Sequence, residues 1–420
     1  MRWFDGLAAV AIAGMAAFLV AQPPLRALEG PAYDLLLRAR QEIYSPLARA
    51  QSVSPVVVVA LDRETALRPP FDRLPQELWT PQVAEVMGRL LDAGARFVAQ
   101  QETLTTAAKG AVPGYDADYL AVLERAGEAG RIVLGRRAPA PDRLGPAPDY
   151  IAAAGGDRNV RRIALYPDPD GVLRRAALYE NSRDSTGVVS RNPSLALELA
   201  ARVIGERPHL LNGTELLLGR YPVPGSDENA MLLNFRGRGA AMPVYSLGDL
   251  YACSQAGDEA FFRKHFDGKV VLIGPAATPS SQRVTAARFL DPIGGGRDAA
   301  RCQLPPMQSL AGLDSGRTVP EVVVTATAVR NLLQRDAVKT LPAIAALLVS
   351  ALLALAAALA VLRAKPSLVA PAAVLLLGGW GYLAVVVLAR ETWLLPLAQP
   401  AVAVGVALAV AWAYRRLRRI

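Results

Sequence analysis

The apolar run LPAIAALLVSALLALAAALAVL, from Leu341 to Leu362, carries no charged residue. Crossing ~30 Å of hydrocarbon takes about 20 helical residues, so this run predicts a transmembrane helix. Two more runs, about Ser367 to Leu388 and about Leu395 to Tyr414, follow after turns too short to hold a domain, and predict a packed array of hairpins. At the other end, Gly6 to Ala21 is apolar behind Met1 and Arg2, as in a signal peptide or a signal anchor. Leu19 and Ala21 precede Gln22 where a cleavage site needs small residues at both positions, which favours an uncleaved anchor.

Between the first and second spans the pattern alternates as in an α/β domain. PVVVVALD (Pro55 to Asp62) suits a strand buried on both faces. In TPQVAEVMGRLLDAG, Thr80 reads as an N-cap and Pro81 as the first helical residue. Val83, Val86, Met87, Leu90 and Leu91 then recur at helical spacing until Gly94. RFVAQ (Arg96 to Gln100) predicts a second strand, Asp118 to Ala126 a helix, and RIVLG (Arg131 to Gly135) a third strand. So short a succession implies parallel pairing with right-handed crossovers. MLLNFRG and KVVLIG (Lys269 to Gly274) are further strand candidates, and Val319 to Val338 reads as a helix leading almost directly into the second span. Pro279 to Arg317 lacks periodicity and reads as a long loop. The expected architecture is α/β, a mostly parallel sheet with flanking helices, plus four transmembrane helices. Its divisions are an anchor over residues 1–22, an extracytoplasmic domain over 23–340 and a three-helix membrane region over 341–420.

Charge sets the orientation, because Lys and Arg are retained on the cytoplasmic side of short loops. Arg363 and Lys365 follow the second span, Arg390 beside Glu391 follows the third, and Arg415, Arg416, Arg418 and Arg419 follow the last. With Arg2 this predicts both termini in the cytoplasm and a large domain outside it, in a bacterial inner membrane. The net charge of +9 is mostly this topology signal, since the stretch between the spans holds 38 basic against 35 acidic residues. Nucleic acid is therefore excluded as a partner. Cys253 and Cys302 both fall in the exported region, where a disulfide persists; two lone buried thiols are the alternative.

Candidate chemistry is sparse, and neither an enzyme nor a cofactor is indicated. His209 and His265 are the two histidines, no G-x-S-x-G elbow accompanies them, and they read as surface or capping residues. GGDRN (Gly155 to Asn159) is superficially similar to the diguanylate cyclase signature but diverges from it, and reads as a turn. In DPDG, Asp168 and Asp170 are weak metal candidates: alternating acids before a glycine suit a hard cation, but no glutamate closes the loop and a β-turn is favoured. Asn212 opens an N-G-T acceptor sequon in form only. Small residues recur every four positions at Ala346, Ser350, Ala354 and Ala358, and again at Ala401, Gly405 and Ala409. That spacing lets helix backbones approach closely in lipid and predicts a homodimer; packing inside one protomer and alanine-rich coding bias are the alternatives.

Several segments resemble, in order, the CHASE2 family of bacterial extracytoplasmic sensor domains. They are YDLLLRAR (Tyr33 to Arg40), VVVVALDRETA (Val56 to Ala66), LLDAGARFVAQQ (Leu90 to Gln101), DPDGVLRRAAL (Asp168 to Leu178), PSLALELA (Pro193 to Ala200), LLNFRG (Leu232 to Gly237), GKVVLIG (Gly268 to Gly274) and VPEVVVTATAVRNLL. The resemblance covers about Pro31 to Val338 and implies a sensor. The family usually ends its second strand on aspartate where this chain has Gln101. Its usual Gly and His in the last helix are here Glu321 and Thr325, and PAATPSSQRVTAARFLDP with a cysteine-bearing insertion replaces a short loop. Ligands of open α/β sheets favour the carboxyl ends of strands, so Asp62, Gln101, Asn234, Arg236 and Gly274 are the candidate ligand-binding residues.

In proteins of this kind the closing spans normally lead to a cytoplasmic adenylate or guanylate cyclase, a kinase or a diguanylate cyclase. The expectation is therefore a sensory membrane protein that relays an unidentified extracytoplasmic stimulus to such an output module in cis or in trans, Ile420 closing either a truncated receptor or a stand-alone sensor. The competing readings are an accessory subunit that holds an extracytoplasmic protein partner, and a periplasmic enzyme of unrecognised mechanism.

Overall fold

The computed structural model describes residues 2–44, 54–101, 104–107, 112–137, 145–183, 189–236, 242–290, 300–305 and 318–418. The IGGG run, Gly237, Arg419 and Ile420 lie outside these residues. The chain divides into two compact units, one of Met1–Leu47 with Val338–Ile420, the other of Ala48–Ala337.

The first unit opens with α1 (Arg2–Val20) and α2 (Glu29–Tyr44). Hydropathy groups YDLLLRAR with the exported domain. In the structure it lies in α2, where Tyr33, Leu36 and Leu37 are buried.

The second unit is built on six parallel strands: β1 (Val56–Leu61), β2 (Phe97–Gln100), β3 (Ile132–Arg136), β4 (Val160–Arg162), β5 (Val244–Ser246) and β6 (Val270–Pro275). Their order is β5-β1-β6-β2-β3-β4, with Val58 opposite Val244, Val56 opposite Val270, Val270 opposite Phe97 and Val98 opposite Ile132. Every residue of β1 and of β6 is buried, as expected for central strands covered on both faces.

The helices of this unit are α3 (Arg63–Ala66), α4 (Thr80–Asp92), α5 (Ala117–Glu128), α6 (Leu195–Ile204), α7 (Leu247–Gln255), α8 (Glu259–Phe266) and α9 (Glu321–Gln334). Val57, Val59, Val98, Val271 and Ile273 share one core with Val83, Met87 and Leu90 of α4, Leu123 of α5, Leu250 of α7 and Phe262 and Phe266 of α8. On the other face α9 packs against β1, β6 and α6. α9 buries residues around most of its circumference, including Thr325, Arg330 and Asn331.

Three local expectations change. Thr80 is the first helical residue, not the cap; its hydroxyl donates to Asp116 Oδ1 at 2.6 Å, a tertiary bond that displaces the capping role, and Trp79 stands at the cap. MLLNFRG contributes only Met231–Leu232 as a strand, antiparallel to Arg175–Ala176 in a separate small sheet. The expected long loop holds a short strand, Gln282–Val284, antiparallel to Thr318–Pro320 at the entrance to α9.

The chain then returns to the first unit as α10 (Ala343–Arg363), α11 (Pro366–Glu391) and α12 (Ala398–Leu417). With α1 these are, among the described residues, four helices long and apolar enough to cross a membrane. Ala9, Ala16 and Val20 of α1 pack with Ala354 and Ala358 of α10 and Ala403, Ala407 and Ala411 of α12. Ser350, Ala354 and Ala358 have no exposure, so the small face of α10 is packed within this chain, the alternative to dimer contact. On α12 the buried face is instead Ala403, Ala407 and Ala411, while Ala401, Gly405 and Ala409 are exposed. Glu29 of α2 accepts from the backbone N–H of Leu397 at 3.0 Å and of Gln399 at 2.7 Å, satisfying donors at the start of α12.

Candidate functional site at the carboxyl edge of the sheet

β1, β6 and β2 end side by side on Asp62, Gly274–Pro275 and Gln101, because Ala60 pairs with Gly274 and Ile273 with Gln100. Asp62 caps α3: its Oδ1 accepts from the Thr65 backbone N–H at 2.8 Å, from Thr65 Oγ1 at 2.6 Å and from Ser246 Oγ at 3.0 Å. All three bonds fall on one oxygen, leaving Oδ2 without a partner among the described residues. Asp62 keeps some exposure, yet protein surrounds its carboxyl closely enough that burial raises its pKa above the ordinary carboxylate range; the Thr65 and Ser246 hydrogen bonds oppose this and the nearby Glu64 charge adds to it.

Gln101 is fully buried, and neither its Oε1 nor its Nε2 has a hydrogen-bond partner among the described residues. An unmet buried polar group costs about 1–3 kcal/mol, so this carboxamide is an expensive feature for packing alone. The backbone around it is close. A β-carbon at Gly274 would lie 3.0 Å from Val322 and 3.2 Å from Gln101 Cβ, and one at Gly135 would lie 3.2 Å from Gln101 Cα. Gly274 is thus a packing residue that lets the start of α9 close down beside Gln101, not a cradle for a ligand.

Two clamped carboxylates stand at the same edge. Glu64 accepts from Arg301 at 2.6 and 3.0 Å and from Arg68 at 2.8 Å. Glu321, the first residue of α9, accepts from Arg283 at 2.5 Å, and Arg137 lies 3.7 Å away. No spacing in the sequence joins these residues; chain segments more than 200 positions apart meet at Glu64 and Arg301. The segment carrying Arg301 is held twice. Cys302 is disulfide-bonded to Cys253 with Cα atoms 5.6 Å apart, and the buried Asp249 accepts from the backbone N–H groups of Cys302, Gln303 and Leu304 at 2.9, 3.1 and 2.7 Å. Asp258 lies near both sulfurs, but sulfurs bonded to each other offer no thiolate to a metal.

Asn234 and Arg236 do not belong to this edge. Asn234 takes a bond from its N–H to Asn331 Oδ1 at 2.9 Å and donates from Nδ2 to the Asp336 carbonyl at 2.9 Å; Arg236 pairs with Asp336 at 2.6 Å. Asn331 lies nine residues beyond Val322 along α9, about 13 Å at 1.5 Å per residue. The pair therefore forms a joint at the far end of α9. Asp168 and Asp170 both bind the buried Arg174, at 3.0 Å and at 2.8–2.9 Å, and that guanidinium holds Asp170 below the usual carboxylate range. The Arg174 guanidinium thus lies against the carboxylate oxygens that a hard cation would need. His209 is exposed in a small sheet, whereas His265 is half-buried, its Nδ1 3.1 Å from the Tyr245 hydroxyl and its ring against Phe261.

The family model of the CHASE2 domain matches residues 9–362. The chain belongs to the CHASE2 family. No curated protein and no solved structure matches it. CHASE2 is a family of sensor domains, and four helices of this CHASE2 protein have the length and hydropathy of membrane spans, so it is a sensor-domain membrane protein.

Proposed function

We propose that this CHASE2 protein senses a small polar molecule at the carboxyl edge of its sheet, on the outer side of a bacterial inner membrane, and relays occupancy to a cytoplasmic cyclase or kinase module. The domain binds its ligand and does not transform it. The carrying observation is Gln101, a buried carboxamide with both polar atoms unmet, next to strand ends that also offer the free Oδ2 of Asp62. A ligand supplying one donor and one acceptor would satisfy Gln101, and its neutrality suits an uncharged or zwitterionic group better than the aspartate usual in the family.

The relay rests on α9. Its first turn packs against Gly274 beside Gln101, its last turn is tied through Asn331 and Asp336 to Asn234 and Arg236, and only residues 335–342 separate it from α10. Such a helix could pass a shift at its start to the chain entering the membrane. The reading keeps both termini cytoplasmic, from the basic residues that follow the spans, and keeps a homodimer to couple two output modules. With the α10 small face occupied, that dimer forms through other surfaces.

The test is thermal unfolding of the full chain in lipid nanodiscs against a panel of amino acids, polyols and sugars. A compound that raises Tm in the wild type but not in Gln101→Leu supports the reading. A panel without effect, together with a Gln101→Leu variant that is simply more stable, would make Gln101 a packing defect and remove it.

A further inference from the structure

α11 and α12 are neighbours that separate. They meet where Trp380 Nε1 of α11 donates to the Pro396 carbonyl at 2.8 Å, just ahead of α12. Beyond that contact the first half of α11 and the second half of α12 enclose an open groove of about 810 Å³. Its walls are mostly apolar, with Val369 and Ala373 on α11, Gly405, Ala409 and Trp412 on α12, and Val361 of α10 also lining it. A β-carbon at Gly405 would meet nothing within 4 Å.

One end of the groove is cationic. Arg415 and Arg416 both line it, and Lys365 directly precedes Pro366, which lines it too. Arg415 donates to the Val361 and Ala364 carbonyls, which fixes its position. The exposed Arg416 lies over the Trp412 ring, 3.9 Å from its centroid, and has no carboxylate partner among the described residues. Asp5, an acid of the same unit, is occupied by Arg418 at 2.5 Å.

From this geometry we infer that the groove between α11 and α12 binds one anionic phospholipid, its phosphate at Arg415 and Arg416 and its acyl chains along Gly405 and Ala409. The length agrees. Gly405 to Arg416 is eleven residues, about 16 Å of helix, close to half of the ~30 Å hydrocarbon thickness and hence to one leaflet. The charge agrees as well, since a basic pocket between spans favours an anionic headgroup over a zwitterionic one, and an aromatic ring at that depth suits the interface. A second copy of the chain would have to bury Arg416 against apolar surface, with no acid in the groove to receive it.

Native mass spectrometry of the full chain, released from nanodiscs holding equal phosphatidylglycerol and phosphatidylcholine, tests this. The wild type should retain phosphatidylglycerol several-fold more than phosphatidylcholine. Arg416→Gln should bring the ratio near one, Arg416→Lys should restore part of it, and Gly405→Leu should reduce retention of both lipids. Among the described residues Arg416 bonds to no other helix, and Gly405 faces open space, so Arg416→Gln and Gly405→Leu should unfold at the wild-type temperature. Equal retention in the wild type, or unchanged ratios in the variants, would overturn the inference. So would efficient crosslinking between copies carrying Gly405→Cys, which would give the groove to a second protomer.

Discussion

Ser246 Oγ donates to Asp62 Oδ1 across 3.0 Å, although 184 residues separate the two in the chain. The bond joins the ends of β5 and β1, and with Thr65 it turns one oxygen of the carboxylate inward while the other stays free. Asp62 therefore holds a helix start and a strand end together at the edge where the ligand is proposed to bind.

The raised pKa of Asp62 has a defined consequence for stability. The folded protein holds this proton more tightly than the unfolded chain, so the stabilisation is complete below the unfolded carboxylate pKa and is lost as pH rises through the folded value. Asn caps a helix as well as Asp does. Asp62→Asn should therefore keep the α3 cap, match or exceed wild-type stability at pH 7, and flatten the fall in Tm as pH rises above the ordinary carboxylate range. Tm measured against pH in wild type and variant checks this, and parallel curves would contradict it.

His265 titrates in the opposite sense. Burial, then the charge of Lys264, lowers its pKa, while burial pushes the Tyr245 hydroxyl up to about 12, so a neutral imidazole faces a protonated phenol. A depressed histidine contributes stability that is present above its unfolded pKa of about 6.5 and is lost as pH falls through that value toward the folded one. His265→Phe should remove the corresponding decline in Tm as pH falls below about 6.5. NMR titration of the imidazole should place its midpoint below the ordinary histidine value.

The disulfide closes a separation of 49 residues, which in the chain-entropy model restricts the unfolded state by about 4 kcal/mol. Cys302→Ser should lower the denaturation midpoint accordingly, and it should also loosen the 300–305 segment that presents Arg301 to Glu64. Hydrogen exchange should then speed up at Gln303 and Leu304, whose N–H groups bond Asp249. An unchanged midpoint under oxidising conditions would show that the bridge contributes nothing.

Small residues of the two stripes should differ in tolerance. Ser350→Leu inserts a large side chain into the closed core between α1, α10 and α12 and should cost about 1–3 kcal/mol. Gly405→Leu extends into the open groove and should cost less than about 0.5 kcal/mol. Reversible unfolding in mixed micelles distinguishes the two, and equal costs would show that the small face of α10 is not tightly packed.

Much of this protein was legible before any tertiary information. Length without charge marked the four spans, because a lipid-facing helix has no other composition available to it. Continuous β-branched runs marked β1 and β6, because a central parallel strand is covered on both faces and shows no alternation. The order of short segments pointed to CHASE2. Strand ends picked out Asp62 and Gln101, and both lie at the carboxyl edge of the sheet. Other features depend on which segments meet in three dimensions. Asn234 and Arg236 sit near a motif end like the others, but their strand joins a different sheet and carries them to the far end of α9. Arg137, Arg283 and Arg301 carry no local signal, because their partners Glu321 and Glu64 are reached only when distant loops converge on one edge. The two stripes of small residues look alike as sequence, since a spacing of four fixes which residues share a face and says nothing about what that face meets. Only the packing of α1, α10 and α12 decided that one stripe is core and that the other borders an open groove.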